Sequence, residues 1–62
     1  MQNVDLLQFE IDIGNGLEPA KCEATTKIGA AKKAFLLYST DVCGVRLAGD
    51  KDWEWYWRGD VT

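Results

Sequence analysis

The sequence predicts an α+β fold: a single domain over residues 1–62, in which an antiparallel sheet of two β-hairpins carries one helix on one face, in the order β-β-α-β-β. Three observations predict it. Apolar and polar residues alternate with period two near both ends of the chain, the apolar spacing changes to three and four in between, and an Asn-Gly pair sits between the first two alternating stretches.

In the first strand, Leu7, Phe9, Ile11 and Ile13 alternate with Gln8, Glu10 and Asp12, the pattern of a strand buried on one face. Gly14-Asn15-Gly16 follows, and a two-residue type I′ turn demands positive φ at both central residues, which Asn-Gly supplies. With Asn15 and Gly16 as the turn, Gly14 faces Leu17, Ile11 faces Ala20, Phe9 faces Cys22 and Leu7 faces Ala24. Apolar residues then meet apolar residues, while Glu10 meets Lys21 on the other face. Pro19 has no N–H for a ladder, so the second strand is expected to be an edge or to begin after it.

Thr25 and Thr26 are both N-cap residue types, so a helix of about three turns is expected from there. Ile28, Ala31, Phe35 and Tyr38 form its apolar stripe, with Ala34 and Leu37 flanking and Lys27 and Lys33 off it. Ser39-Thr40-Asp41 is the expected exit.

Period two returns at the third strand, where Cys43, Val45 and Leu47 oppose Val42, Gly44, Arg46 and Ala48. Gly49-Asp50-Lys51-Asp52 reads as a turn. In the last strand Trp53, Trp55 and Trp57 share one face, and Glu54, Tyr56 and Arg58 the other. The tryptophans face Val45 and Leu47, as core, if the loop holds an odd number of residues, either 50–52 or 48–52. The longer loop sets Arg46 against Glu54 and Gly44 against Tyr56. One helix does not fully cover four strands, so at least one tryptophan is expected to stay partly exposed and form an apolar patch.

Composition narrows the function. Seven basic and ten acidic residues give a formal charge of −3, which argues against duplex DNA as the habitual ligand. With no histidine, and with Cys22 and Cys43 in no CxxC pair, neither a structural zinc site nor another metal or cofactor site is expected. The missing histidine also removes the usual base for nucleophilic catalysis, and no carboxylate pair suggests a cleft. No catalytic residues are assigned, and the chain is read as not an enzyme. Both cysteines fall on the expected core face as inert thiols, although that shared face leaves a disulfide between the hairpins conceivable. Without a secretory leader or an apolar run of membrane-spanning length, the expected setting is cytoplasmic, with reduced thiols and no membrane. Arg58-Gly59-Asp60 spells the integrin-binding tripeptide, a three-residue match best assigned to chance.

A chain of 62 residues buries only about 60% of the surface its unfolded form exposes, so outside help is expected to matter. The expected function is a small non-enzymatic protein-interaction module, an inhibitor, regulator or accessory subunit. It docks on a larger protein or on a second copy of itself through its aromatic strand, sheet edge or sheet face. The candidate partner-binding residues are Arg46, Trp53, Trp55, Tyr56, Trp57 and Arg58. The alternative is single-stranded nucleic acid, with Tyr56 stacking on a base while Arg46 and Arg58 reach phosphates.

Overall fold

The computed structural model describes residues 5–14, 16 and 18–61. Four strands, β1 (Leu7–Asp12), β2 (Ala20–Ala24), β3 (Val42–Leu47) and β4 (Glu54–Trp57), form one antiparallel sheet. The helix α1 (Lys27–Leu37) joins the two hairpins, and a single turn of helix, α2 (Arg58–Val61), follows β4 without a break. The strand order is β2-β1-β3-β4, so β2 and β4 are the edges. Because β1 is antiparallel to both neighbours, β2 and β3 run parallel, and α1 carries the chain over β1 between them.

The first hairpin has the expected register: Leu7 faces Ala24, Phe9 faces Cys22, Glu10 faces Lys21 and Ile11 faces Ala20. At the turn, Gly16 has φ +78°, and Gly14 has φ +77° with its N–H donating to Asp12 Oδ1 at 2.8 Å. Asn15 and Leu17, and with them the Gly14–Leu17 pairing, lie outside the described residues. The proline constraint acts both ways, since β2 is an edge and begins at Ala20, just after Pro19.

Helix α1 starts where its cap dictates. Thr26 is extended, and its Oγ1 accepts the Gly29 N–H at 3.0 Å, satisfying one of the donors that the first turn leaves over. The buried face is Ala30, Ala31, Ala34 and Phe35. The expected stripe is therefore corrected at its start: Ile28 is half exposed, and Ala30 takes the inward position. With alanines at the contact, the helix backbone sits close to the sheet, where Phe9, Ile11, Cys43 and Val45 supply the bulk. Tyr38 caps the helix C-terminus and packs against the core's margin.

The expected arrangement of the second hairpin is overturned. In the β3–β4 pair, Val42 faces Trp57, Cys43 faces Tyr56, Gly44 faces Trp55 and Val45 faces Glu54. The connection, residues 48–53, has an even number of residues, so β4 is shifted by one from the expected register and every side chain changes face. Tyr56, not a tryptophan, packs on the core beside Cys43. The cause lies at the end of β3, which runs on beside β1: Leu47 faces Phe9, and the Ala48 N–H donates to the Gln8 carbonyl. The chain then turns over 47–50, where the Asp50 N–H donates to the Leu47 carbonyl at 2.9 Å. Gly49, φ +95°, takes the positive-φ position that suits such a turn.

The cysteines do not form the disulfide that their shared face left conceivable. Both are free, with Cys43 buried and Cys22 partly buried. β1 lies between their strands, so their backbones are separated by two strand spacings, about 9.5 Å in all. A disulfide requires Cα atoms within about 7 Å, so this fold does not form one. Among the described residues, no helix is long and apolar enough to cross a membrane.

Candidate functional site

Residues opposite one another in paired strands share a face, so the register sorts the sheet's side chains into two sets. The helix covers one set. The other set faces solvent, and its composition changes across the sheet. On β1 and β2 it presents Gln8, Glu10, Asp12, Lys21 and Glu23; on β3 and β4 it presents Val42, Gly44, Arg46, Trp55 and Trp57, with Trp53 just before β4. The open face is thus polar on one half and aromatic on the other.

Three contacts organise the aromatic half. The Arg46 guanidinium lies over the Trp53 ring, 4.2 Å from its centroid, while Arg46 Nε donates to Glu10 Oε1 at 2.6 Å. Arg46 therefore bridges the tryptophans and the acidic strand, its charge partly neutralised by Glu10 and partly spread over an indole face. The Trp53 and Trp55 rings are 6.5 Å apart and tilted by 41°. Trp55 covers Gly44: a Cβ added there would lie 3.1–3.2 Å from three atoms of the indole six-membered ring. Gly44 is consequently buried although it belongs to the solvent face. A glycine on β3 leaves the space in which a flat indole can lie against the backbone.

Trp55 and Trp57 remain 51% and 61% exposed, and Trp53 is partly buried. The expectation that at least one tryptophan stays partly exposed is met by all three, most fully by Trp55 and Trp57, on the face away from the helix. Leu36 and Leu37, at the end of α1, form a second exposed apolar pair.

The candidate residues thus divide. Arg46, Trp53, Trp55 and Trp57 come together on the open face. Tyr56 is on the helix side, where its hydroxyl donates to the Glu54 carboxylate. Burial first, then that hydrogen bond and the nearby negative charge, push the Tyr56 phenol up to about 12. Arg58 lies beyond β4, in α2. Its Nε donates to the Thr40 carbonyl and its Nη2 to the Tyr38 carbonyl, both at 3.0 Å, and its guanidinium lies 5.1 Å from the Phe35 ring centroid. Asp41 approaches to 4.0 Å. Arg58 therefore ties the end of α1 to the end of the sheet. Arg46, Tyr56 and Arg58 do not share a surface, so the stacking platform expected for nucleic acid is not assembled. Arg46 likewise pairs with Glu10 and not with Glu54, because Glu10 lies directly across from it on the open face, whereas the register sets Glu54 against Val45 on the opposite face.

Sequence reasoning missed Glu10 as the partner of Arg46 and Gly44 as the seat of Trp55. The Ala48-Gly49 pair was the available signal, since a tight turn there favours an even loop. The Cys43 thiol is pushed up by burial, away from the low values that mark a nucleophile. Among the described residues, no group of three or more His, Cys, Asp or Glu side chains is placed to hold a metal ion. No protein-family model, curated protein or solved structure matches the chain.

Proposed function

We propose that this chain is a small non-enzymatic protein-interaction module, an inhibitor, regulator or accessory subunit, that docks on a larger protein through the tryptophan-bearing half of its open sheet face. The observation that carries the reading is the exposure of Trp55 and Trp57, side by side with Trp53 and Arg46 on a face that, among the described residues, no other element covers. Aromatic residues and arginine dominate the energetics of protein interfaces because they bring large, stiff contact areas at small entropic cost.

Covering the exposed half of each of the two indoles would remove roughly 280 Å² from water, worth about 7 kcal/mol at ~25 cal/mol per Å². Association costs on the order of 4–15 kcal/mol, so the tryptophans act as anchors that need further contacts around them. A protein different from this one is the favoured partner, because copies of a chain with charge −3 repel one another.

The test is affinity capture with the immobilised chain, with and without nuclease, comparing Trp55→Ala/Trp57→Ala with Leu36→Ser/Leu37→Ser. A protein that survives nuclease, is lost with the tryptophans and is kept with the leucine variant supports the reading. Capture that depends on the leucines, or that vanishes with nuclease, overturns it.

A further inference from the structure

The sheet has two edges, and they are not equivalent. Beside β2, Pro19 cannot donate to an added strand, and the Glu23 carbonyl is already held by the Lys33 ammonium from α1, with Cys22 Sγ 3.7 Å from the same oxygen. A proline and a lysine along an edge are the usual means of keeping other strands away. β4 pairs with β3 on one side only, which leaves the backbone groups that point outward without a ladder partner. Its outer face carries the exposed Trp55 and Trp57, and its helix-side face carries the exposed Glu54. Exposed Asp50 and Asp52 precede it with exposed Lys51 between them, and exposed Asp60 follows it, while Arg58 at its end is turned to the Thr40 and Tyr38 carbonyls, so carboxylates outnumber cations around the strand.

We propose that β4 is a strand-addition site for an extended segment of a basic protein, whose apolar side chains lie on the tryptophan side and whose lysine or arginine side chains lie on the Glu54 side. This rests on the reading of the chain as an interaction module, and it names both the mode of docking and the chemistry of the partner. In strand addition, main-chain hydrogen bonds supply affinity and alternate side chains supply specificity. Here the alternation is set by β4 itself, with aromatic surface on one face and a carboxylate on the other. Opposite charges directly across a strand pair attract and like charges repel, so Glu54 and its acidic surroundings select a basic strand and disfavour a second copy of this chain.

The experiment is a titration of the isotope-labelled full chain, followed by backbone amide NMR, with a capped peptide alternating lysine and valine and with its glutamate–valine counterpart. The lysine peptide is expected to shift the amides of Glu54–Trp57 and slow their hydrogen exchange, leaving Ala20–Ala24 unchanged, while the glutamate peptide does neither. Glu54→Lys is expected to weaken binding about tenfold and Glu54→Gln by less. The Glu54 side chain is exposed, and the spectrum of each free variant checks that the fold persists.

Absence of lysine-peptide binding, equal binding of the glutamate peptide, protection at β2, or indifference to Glu54→Lys would each overturn the proposal. Self-pairing at β4 in the absence of peptide would overturn it as well. Shifts confined to the indole N–H groups, with β4 amides unprotected, overturn strand addition while leaving the tryptophan face as the docking surface. Failure of that broader reading is registered separately, by retention of partner in the Trp55→Ala/Trp57→Ala capture.

Discussion

Replacing Gly44 with valine tests whether the Trp55 ring lies against β3 at this position. A Cβ at this position already falls 3.1–3.2 Å from the Trp55 ring, tighter than ordinary van der Waals contact. For alanine the ring need only rise by a few tenths of an ångström, and it is half exposed and free to do so. The two methyl groups of valine leave no such accommodation, so Trp55 must leave the sheet. An indole that is 51% exposed has roughly 120 Å² at stake, an upper limit of about 3 kcal/mol. Valine returns up to ~1 kcal/mol through strand propensity and lower backbone entropy in the unfolded chain. Gly44→Val is therefore expected to cost about 1–2 kcal/mol, and Gly44→Ala close to nothing. Urea unfolding measures the cost, and far-UV circular dichroism follows the ring pair directly, because two indoles 6.5 Å apart and tilted by 41° couple their transitions. If Gly44→Val keeps both the unfolding midpoint and the coupled signal, Trp55 does not lie on Gly44, and the register and the open tryptophan face fall together.

Three further expectations concern the frame around that face. Tyr56 should ionise near pH 12, as read from the absorbance difference between the parent chain and Tyr56→Phe; its folded value is raised above 10.0, so its contribution to stability is intact below pH 10 and is lost as pH climbs through 12. Glu54→Gln should bring that ionisation down, and no change would show that the hydroxyl does not bond to Glu54. Arg58→Lys should destabilise the fold by roughly 1–3 kcal/mol, since an ammonium does not reproduce the planar fork that reaches the Tyr38 and Thr40 carbonyls, and an unaltered urea midpoint would refute that role. Thr26→Ala should cost about 1 kcal/mol through loss of the N-cap, with faster amide exchange at Gly29 as its local sign.

The parts of this protein legible from sequence are those decided by neighbours along the chain. The β1–β2 register follows from a short glycine-rich turn and from strands of which one face alone is apolar, so a slip would bury Glu10 and expose Phe9. The start of α1 follows from Thr26, and the limit of β2 from Pro19. The face taken by β4 was not legible in this way. Trp53, Trp55 and Trp57 alternate with Tyr56 and Glu54, so either face can supply an aromatic to the core, and neither register is penalised as a slip in β1 would be. The choice was made by β3, which runs past β4 to bond with β1 through Leu47 and Ala48 and so sets the parity of the returning loop. Strand order decided the rest. With β1 beside β3, Glu10 claims Arg46 and Cys22 is held away from Cys43; with α2 folded against the end of α1, Arg58 is drawn to the Tyr38 and Thr40 carbonyls. Turns and caps are local, and their energetics act within a few residues. The identity of the face left open is a property of how distant strands share one core, and it exists only once they have packed.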